Sequence, residues 1–428
     1  MTERSEQTDE HRTEPAHGTD AAARAPATDA APATDGRLRR ATHGRGGIVT
    51  LLTVSALLAA MGVTLLGLGT TDHALASANA SSWLWSSGKG EVARVNGETG
   101  RVDTRYRVVD AQGHVIQISQ TDQYLVLRDL TTGKVSSLNL ATLQVAATTQ
   151  TTAGVGITIA LSGDSAFVVD AVQGVVRQLD PLSLTPVGDP LRFPPGLSGG
   201  TFDTSGTLWL AVPGEGTVVA IRPAPRHPSA GAGTVAASPA VVRSATVAPP
   251  GHDLSLSTLD AGVAVLDETA GRLTTLGDGP TRVVTIPLTG PATVPGHSGG
   301  GDVPVTATDD RHVFVVHGNQ VNTFTVPGTG AKLAPAVPFG GRLYVADDAT
   351  GTVYVLDMHG AQVGTIPIPN ANGPLELDVR GDHLFVNAPD SSTARVVDLG
   401  GHVKTVNKYA NNVLGGDPPL NPPPPPPP

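Results

Sequence analysis

A short phrase, LYVADDATGTVYVLDMHG at residues 343–360, recurs in altered form as AFVVDAVQGVVRQLDPLS at residues 166–183. In both copies an apolar, β-branched run ends at an Asp, a Gly follows four residues later, and a second apolar run begins. An Asp side chain accepts hydrogen bonds from the backbone ahead of it, and Gly adopts positive φ angles without steric cost. The phrase therefore predicts a β-hairpin with an Asp-x-x-x-Gly turn.

Similar hairpins occur along the whole second part of the chain. We mark each by the last apolar residue of its second strand, which gives Val95, Leu138, Leu179, Ile221, Leu276, Phe324, Leu356 and Val397. Neighbouring markers are 32 to 55 residues apart, and their mean of about 43 lies within the range of one β-propeller blade. The sequence thus predicts an all-β fold, a β-propeller of four-stranded blades over residues 81–409. We expect eight blades, or seven if the 32-residue unit is incomplete.

The first strand of each hairpin is apolar at consecutive positions, as in AFVVD, LWLAV, VAVLD, VFVVH and LYVAD. A strand that faces water on one side alternates apolar and polar residues, whereas a strand between two other blades is buried on both faces. A β-sandwich is the alternative, but it predicts cleaner alternation and no regular repeat. We expect Trp83, Trp85 and Trp209, which lie in such strands, to pack between blades.

The first 69 residues differ from the repeats. Residues 1–36 lack aromatic side chains and are rich in Ala, Thr, Pro and acids, so we expect residues 1–47 to form a disordered cytoplasmic tail. Residues 48–69 are 22 residues without a charge, enough for one helix to cross the ~30 Å core of a membrane. Just before this segment, with no acid between them, stand Arg37, Arg39, Arg40 and Arg45. The first lysine after it is Lys89, so the positive-inside rule predicts extracellular repeats.

The segment ALASANA at residues 74–80 supports an alternative reading of the N-terminus. It contains small-x-small sites that a signal peptidase could cut, which would make the apolar run a signal peptide. That run is, however, longer than the roughly 7–15 residues typical of signal peptides, and the cut would fall well beyond its end. We therefore predict an uncleaved transmembrane helix at 48–69 and a linker at 70–80.

Charge and composition exclude two classes of function. The formal net charge is −10, whereas nucleic-acid binding needs a basic surface. The chain has no cysteine, so it has neither a disulfide framework nor thiolate chemistry. The 51 Gly and 36 Pro residues suit a turn-rich β-protein, because they would interrupt helices.

Two stretches match the Gly-x-Ser-x-Gly pattern of serine hydrolases, around Ser198 and Ser298. That pattern exposes its serine where a strand turns sharply into a helix, and neither stretch is followed by a helical pattern. The 13 histidines are scattered without a short metal-ligand spacing. The adjacent Asp347 and Asp348 fit a turn cap better than a calcium loop. The sequence therefore predicts no catalytic, cofactor-binding or metal-binding residue.

The stretch LYVADDATGTVYVLDMHGAQVGTIPIP resembles the repeat of the YVTN and NHL-like β-propellers of bacterial envelope proteins, over residues 81–409. With its tail, membrane helix and Pro-rich end at 410–428, the chain is similar to actinobacterial surface proteins whose propeller is followed by fibronectin type III domains. No such domain is visible in this sequence. The resemblance implies a propeller at the cell envelope, and it supplies no catalytic residue, because related propellers include both binders and enzymes.

Three functional hypotheses follow. The first is a single-pass, membrane-tethered extracellular propeller that acts as a binding or scaffold module, with a cell-wall polymer or an envelope protein as partner. The second is a propeller enzyme, either a lyase or glycosyl hydrolase acting on cell-wall polysaccharide or a quinone- or metal-dependent dehydrogenase. The third is a structural spacer. An enzyme needs charged side chains at the central channel, and predicted inner strands such as VIQIS and ITIALS are uncharged. The sequence therefore favours binding.

Strand order predicts where a partner would bind. In a four-stranded blade, the turn between the second and third strands lies at the same end as the link to the next blade. The Asp turns are of the first kind, and the insertion at 289–304 is of the second kind if VPVTAT after it is a first strand. The predicted binding face comprises Asp129, Asp170, Asp267, Asp347 and His297. The insertion at 222–240 is expected at the opposite end. Alternatively, the acidic residues only cap their turns.

Overall fold

The computed structural model describes residues 80–225, 237–329 and 333–416, which form 31 β-strands in eight sheets. All strand pairs within the sheets are antiparallel, and each sheet is one blade. Seven blades have four strands, and blade 1 has three among the described residues. The predicted eight-bladed, all-β propeller is confirmed.

The strands of blades 1 to 4 are β1 (Ser81–Ser86), β2 (Glu91–Asn96), β3 (Arg101–Arg107); β4 (Ile116–Gln120), β5 (Tyr124–Asp129), β6 (Lys134–Asn139), β7 (Gln144–Gln150); β8 (Ile157–Ser162), β9 (Ser165–Asp170), β10 (Val175–Leu179), β11 (Leu191–Arg192); and β12 (Ser198–Phe202), β13 (Leu208–Val212), β14 (Thr217–Arg222), β15 (Ala240–Thr246). Those of blades 5 to 8 are β16 (Leu254–Thr258), β17 (Val263–Asp267), β18 (Arg272–Leu276), β19 (Arg282–Thr285); β20 (Ala292–Thr293), β21 (Asp302–Ala307), β22 (His312–His317), β23 (Gln320–Thr325); β24 (Val337–Phe339), β25 (Arg342–Asp347), β26 (Thr352–Asp357), β27 (Gln362–Pro367); and β28 (Glu376–Arg380), β29 (His383–Asn387), β30 (Thr393–Asp398), β31 (Val403–Asn407). In the four-stranded blades the chain runs from the inner strand at the channel outward.

One apolar cluster lies between each pair of neighbouring blades, and the eight clusters close the ring. In β29, for example, Leu384 and Val386 pack towards blade 7, whereas Phe385 between them packs towards blade 1. The second strand of a blade thus buries both faces, as its unbroken apolar run predicted. Trp83 and Trp85 lie in the cluster between blades 1 and 2, and Trp209 in that between blades 4 and 5.

The four Asp-x-x-x-Gly stretches form the turns between second and third strands. Their glycines have positive φ angles, 80° at Gly133 and 67° at Gly174. A Cβ atom at these positions would lie 2.2 Å from the Thr151 carbonyl oxygen and 2.0 Å from that of Phe193. Only Gly therefore fits these turns. We call the end of the ring that carries them the Asp-turn end.

Blade 6 differs from the sequence prediction. Its first strand is the two-residue β20, and the stretch VPVTAT belongs to the second strand, β21. The turn at 317–320 consequently joins the third and fourth strands, and the prediction that it joined the second and third was wrong. With Val316 of β22 as the blade's marker in place of Phe324, the neighbouring markers Leu276 and Leu356 are each 40 residues away.

The ring closes between blades 8 and 1 through polar contacts as well as apolar ones. Leu414 forms a parallel bridge with Thr104 of β3, and its carbonyl accepts from the Arg105 N–H at 2.7 Å. The Arg105 side chain is buried and forms an ion pair with Glu91. Residues 410–416 therefore pack against blade 1, at the start of the segment expected to be a Pro-rich tail.

Several predicted features lie outside the described residues, namely the tail at 1–47, the transmembrane helix at 48–69, the linker at 70–80 except for its last residue, and positions 417–428 of the Pro-rich tail. Within the described ranges, no helix is long and apolar enough to span a membrane. Residues 226–236 of the insertion at 222–240 also lie outside, but its flanking strands are β14 and β15, the third and fourth of blade 4. This connection therefore leaves blade 4 at the end opposite the Asp turns, as expected.

Lys408 is buried at the closure, where its ammonium donates to the carbonyls of Trp85 and Ala388 at 3.0 and 2.7 Å and to the Asn387 side chain at 2.9 Å. Burial lowers the pKa of Lys408 to about 7, although Glu376 and Asp390 oppose the shift. Between about pH 10.4, the unfolded value, and pH 7, the unfolded chain binds a proton that the folded ring does not. Stability from this group is therefore lost as pH falls through that window.

We predict that the stability advantage of the native protein over Lys408→Met is greatest near pH 10. It should shrink by up to about 1.4 kcal/mol for each pH unit towards pH 7, and stay constant below. Urea unfolding at four pH values between 6 and 10 measures it. Lys404→Met is the control, because Lys404 is only half buried and lies near the same closure. A pH-independent difference for Lys408→Met would contradict the prediction.

Candidate functional site

Blade 1 leaves the inner edge of β1 without a partner strand among the described residues, because β1 pairs with β2 alone. The inner strands of both neighbours, β4 of blade 2 and β28 of blade 8, flank this edge. The space between them is a groove of about 330 Å³, which we call the blade-1 groove. Its polar lining comprises Ser82, Gln120, Glu376, Asp378, Arg380 and Asn387.

Side chains from the flanking blades bond to the backbone along this open edge. The Trp83 N–H donates to the Gln120 side-chain oxygen at 2.9 Å. Arg380 donates from Nε to the Ser81 carbonyl at 3.0 Å. The edge groups belong to alternate residues, as in any antiparallel strand whose other residues bond to the neighbour already present. Side chains of the flanking blades therefore cap the polar groups along this edge.

The third position along the edge is capped in the same way. The Trp85 carbonyl accepts from Asn387 Nδ2 at 3.2 Å and from Lys408 Nζ at 3.0 Å. Asn387 also donates to the Glu376 carboxylate at 2.8 Å. Asn387 and Lys408 of blade 8 thus donate to the edge of blade 1, and the Glu376 carboxylate lies next to them.

Two carboxyl groups of β28 face the groove. Enclosure in the channel wall raises the pKa of Glu376, and the Asn387 hydrogen bond and the Lys408 charge reduce the shift. Burial likewise raises the pKa of Asp378, which Arg380 and a 3.1 Å hydrogen bond from Ser82 oppose. Carboxyl groups with raised pKa values are the usual general acids of enzymes. Glu376 is nevertheless exposed and Asp378 half-buried, so both carboxyl groups are accessible from the groove.

The groove opens at the end of the ring opposite the Asp turns. There a depression of about 360 Å³ includes Arg94, Asp122, Gln123, Asn139 and Arg380, and we call these five residues the groove mouth. Arg380 bridges the mouth, donating to the Asp122 carboxylate at 3.2 Å and to the Gln120 carbonyl at 3.2 Å. The mouth thus contains positively charged, negatively charged and amide side chains. The Asp122 side chain is half exposed.

The four acidic residues of the predicted binding face hold their own turns together. Asp129 accepts from the N–H groups of Thr131 and Thr132 at 2.8 and 3.2 Å, and from the Thr132 hydroxyl at 2.7 Å. Asp267 and Asp347 accept one turn N–H each, at 2.9 and 3.1 Å. Asp170 does the same at 2.9 Å but is only half buried.

Three of these carboxylates also have a cationic or imidazole partner. Arg311 of blade 6 lies 3.0 Å from Asp347 of blade 7, so this pair joins two blades. The other contacts are His114 to Asp129 at 2.8 Å and His252 to Asp267 at 3.0 Å. With 8%, 2% and 1% of Asp129, Asp267 and Asp347 exposed, these acids support the turns. Their role in partner binding stays a prediction.

His297 lies at the other end of the ring. Residues 296–298 pair with Thr258, the last residue of β16, through hydrogen bonds of 3.1 and 2.9 Å. Thr258 leads into the turn between the first and second strands of blade 5, which is opposite the Asp turns. The His297 ring is 3.6 Å from the exposed Asp260 carboxylate. The residues of the predicted face therefore lie at both ends of the ring, because VPVTAT forms the second strand of blade 6 and not the first.

The Gly-x-Ser-x-Gly serines lie outside any strand-to-helix turn among the described residues. Ser198 is the first residue of β12. Ser298 is buried, and its hydroxyl is 2.8 Å from that of Ser257. The part of the chain that the structure describes contains no group of three or more His, Asp or Glu side chains placed to hold a metal ion. The absence of acyl-transfer chemistry stays a prediction.

The inner strand of blade 8, β28, is charged, which the sequence did not predict. Its sequence is ELDVR, with charged residues at alternate positions. The inner strands of blades 2 and 3, IQISQ and ITIALS, carry no charge. Side chains two residues apart in a strand lie on the same face. The alternating charges therefore indicate a strand with one charged face. The contact of this strand with blade 1 was not visible, because it joins residues about 300 positions apart.

No protein-family profile and no curated protein matches the sequence. Among solved structures, the dihydro-heme d1 dehydrogenase NirN in complex with DHE is similar, with a TM-score of 0.54 and 15% identity over 77% of this chain and 74% of that one. BamB from Moraxella catarrhalis gives 0.49 and 19% over 72% and 90%. Virginiamycin B lyase from Staphylococcus aureus gives 0.47 and 10% over 65% and 92%. At these identities the likeness is one of fold.

We predict that Asp129→Ala destabilises the fold by about 2 kcal/mol, the cost of removing a buried charged acceptor. Burial alone would raise the pKa of Asp129, but hydrogen bonds from Thr132, His114 and two backbone N–H groups hold it below its usual value. The stabilisation is therefore present above the unfolded pKa of about 3.9 and is lost as pH falls through the lower folded value. Chemical unfolding at pH 7 and in acid measures both effects.

Asp170→Ala is the matched control, because Asp170 occupies the same turn position but is half buried. We expect it to cost less than half as much. Equal losses for both variants would show that burial and the additional bonds of Asp129 do not contribute.

Proposed function

We propose that the protein is a binding or scaffold module of the cell envelope, tethered to the membrane by residues 48–69. The tether rests on the 22 uncharged residues of that segment and on the arginines that precede it. A rigid ring that presents loops is a common scaffold for recognition, because binding residues collect on loops held by stable elements. The role in the envelope rests also on the sequence resemblance described above.

The observation that carries the proposal is the groove mouth. Side chains of blades 1, 2 and 8 converge there, from Arg94, Asp122 and Arg380. The side chains of the groove mouth line a concave surface. The buried acids of the Asp-turn end instead accept hydrogen bonds within their own turns. The geometry therefore favours the mouth over the Asp-turn end as the partner site.

The chemistry of the mouth favours a cell-wall glycan as the partner. Guanidinium and amide N–H groups donate hydrogen bonds, while the Asp122 carboxylate and the amide oxygens of Gln123 and Asn139 accept them. A glycan with hydroxyl and amide groups pairs with both kinds. The mouth has opposite charges in close contact, at 3.2 Å between Arg380 and Asp122, so it does not select a strongly charged polymer.

A second candidate is a propeller enzyme that acts on cell-wall polysaccharide, as a lyase or glycosyl hydrolase. The specific observation in its favour is the pair of groove carboxyls, Glu376 and Asp378, with raised pKa values. Glycosidases use one carboxyl group as acid and another as base or nucleophile. Both acids have hydrogen-bonded partners in the groove, so a structural role at the closure competes with this reading.

We predict that Asp122→Ala with Gln123→Ala weakens retention of the full-length protein on isolated cell-wall material about tenfold, which corresponds to about 1.4 kcal/mol of lost binding energy. The matched control is Gln173→Ala with Glu215→Ala, which removes exposed side chains at the Asp-turn end. Co-sedimentation with wall material, before and after removal of its proteins, measures the retention.

If only the control variant lost retention, the partner would bind at the Asp-turn end and not at the groove mouth. Retention that disappears when proteins are removed from the wall would favour an envelope protein as partner. Release of soluble sugar, abolished by Glu376→Gln, would favour the enzyme.

The topology is tested separately. We predict that protease added to intact cells digests residues 81–428 and spares a tag placed before residue 47, because the positive charges precede the apolar segment. Immunoblotting for tags at both ends measures the result, with lysed cells as the control. Protection of the C-terminal tag in intact cells would show the opposite orientation, and it would contradict the proposed cell-wall partner.

A further inference from the structure

Three valines at the Asp-turn end have exposed side chains on neighbouring loops. Val115 lies in the link from blade 1 to blade 2, Val155 in the link from blade 2 to blade 3, and Val172 in the Asp turn of blade 3. They are 61%, 83% and 69% exposed. Single exposed valines are common on protein surfaces, whereas several on adjoining loops form an apolar patch of the kind that binds partners. We call these three residues the valine patch.

Hydrogen bonds join the loops that carry Val115 and Val155. The Leu130 N–H donates to the Val115 carbonyl at 2.9 Å, and the Leu130 carbonyl accepts from the Gly154 N–H at 2.8 Å. The buried Arg128 also donates from Nη2 to the Gly154 carbonyl at 2.8 Å. The loop that carries Val155 is therefore fixed by its backbone and by a buried guanidinium.

The loops that carry Val155 and Val172 are joined in the same way. The Gly156 carbonyl accepts from the Ala171 N–H at 2.9 Å. A Cβ atom at Gly156 would lie 2.5 Å from Cγ2 of Val172, so Val172 packs directly against this loop. The valine patch therefore lies on three hydrogen-bonded loops that follow one another across blades 2 and 3.

The loops of blades 2 and 3 at this end carry no charged side chain. Their turns and outgoing links have the sequences LTTG (130–133), TTAGVG (151–156), AVQG (171–174) and FPPGL (193–197). The acids that precede the two turns, Asp129 and Asp170, accept hydrogen bonds within them. Covering the valine patch therefore does not require the burial of a free charge, which would be costly.

Exposed acids adjoin the patch along the same end of the ring, in blades 4 to 6. They are Glu215, Asp253, Asp309 and Asp310. Glu215 is next to the uncharged loops, because a Cβ atom at the preceding Gly214 would lie 3.1 Å from Cβ of Pro194 in the outgoing link of blade 3. Negative charge thus begins where the apolar loops end.

The arginines of blades 5 and 6 at this end do not neutralise these four acids. Arg272 lies 3.5 Å from the Asp267 carboxylate, and the buried Arg311 lies 3.0 Å from that of Asp347. Each arginine is therefore balanced by an acid that is not among the four.

We propose that the valine patch and the four acids form a docking surface for a protein segment with apolar side chains at one end and lysines or arginines at the other. The apolar side chains cover the valines, and the cations pair with the acids. Apolar burial supplies binding energy, and complementary charge fixes the orientation of the segment. The proposal does not depend on the glycan or the membrane anchor, because the groove mouth lies at the opposite end of the ring.

Charge disfavours two other occupants. An anionic lipid surface is repelled by the four acids. A second copy of this chain has the same acids and the same net charge of −10, which opposes self-association. A basic partner therefore fits the surface better than either.

Binding of two synthetic peptides to the purified full-length protein tests the proposal. Both peptides begin with a short run of leucines, and one ends in lysines whereas the other ends in glutamates. We expect the lysine peptide alone to bind, and added salt to weaken its binding. Fluorescence anisotropy measures the affinity.

Substitutions test the two parts of the surface separately. Val155→Ser with Val172→Ser should weaken binding of the lysine peptide about tenfold. Glu215→Gln with Asp253→Asn should reduce the preference for the lysine peptide. The matched control is Val283→Ser with Val363→Ser, which alters valines 57% and 54% exposed on the outer strands of blades 5 and 7 and should not change the affinity. Circular dichroism checks that each variant folds.

Equal binding of the two peptides, or no binding of the lysine peptide at about 1 mM, would overturn the proposal. The same holds if Val155→Ser with Val172→Ser binds as tightly as the native protein. Self-association that this variant abolishes, measured by sedimentation, would overturn it in favour of a second copy. Binding to anionic lipid vesicles that the variant abolishes would overturn it in favour of a membrane surface.

Discussion

Side chains on the two faces of each second strand pack against different blades, and the ring depends on this division. Phe385 faces blade 1 while Leu384 and Val386 face blade 7, and the other second strands except β21 divide their apolar side chains in the same way. Each blade therefore needs both neighbours to bury its apolar residues. Because eight such interfaces meet in a closed ring, no blade is left with an exposed apolar face, and the fold needs no central core.

Closure of the ring joins its two chain ends, and its contacts differ from those of a plain apolar interface. The cluster between blades 8 and 1 is supplemented by the buried Lys408 and by Arg105, which pairs with Glu91 inside blade 1 and donates to the Ala410 carbonyl at 3.3 Å. Breaking a buried pair by removing one partner typically costs several kcal/mol, because it leaves an uncompensated charge. These groups therefore make the contact between blades 8 and 1 specific, since a blade that lacked the matching acceptors could not replace either of them.

The repeat phrase was sufficient to predict the propeller, because the Asp-x-x-x-Gly turn recurs in four blades and an apolar second strand recurs in most of them. It failed locally in blade 6, where the inner strand is only two residues long and leaves no periodic signal. The same limit applies to the candidate site. The edge of β1 and the acids of β28 meet only when the ring closes, and sequence patterns describe one blade at a time. His297 was misplaced because VPVTAT belongs to the second strand of blade 6, which puts the loop before it at the other end of the ring.

The direction of the inner strands links the architecture to the proposed function. First strands of complete blades run from the Asp-turn end towards the opposite end, because they follow the links between blades. The groove mouth, with Asp122 and Arg380, lies at that opposite end. Arg380 is the last residue of β28, and Asp122 lies in the turn that follows β4. The inner strands therefore deliver these side chains to the mouth, whereas the Asp turns at the other end stabilise the hairpins.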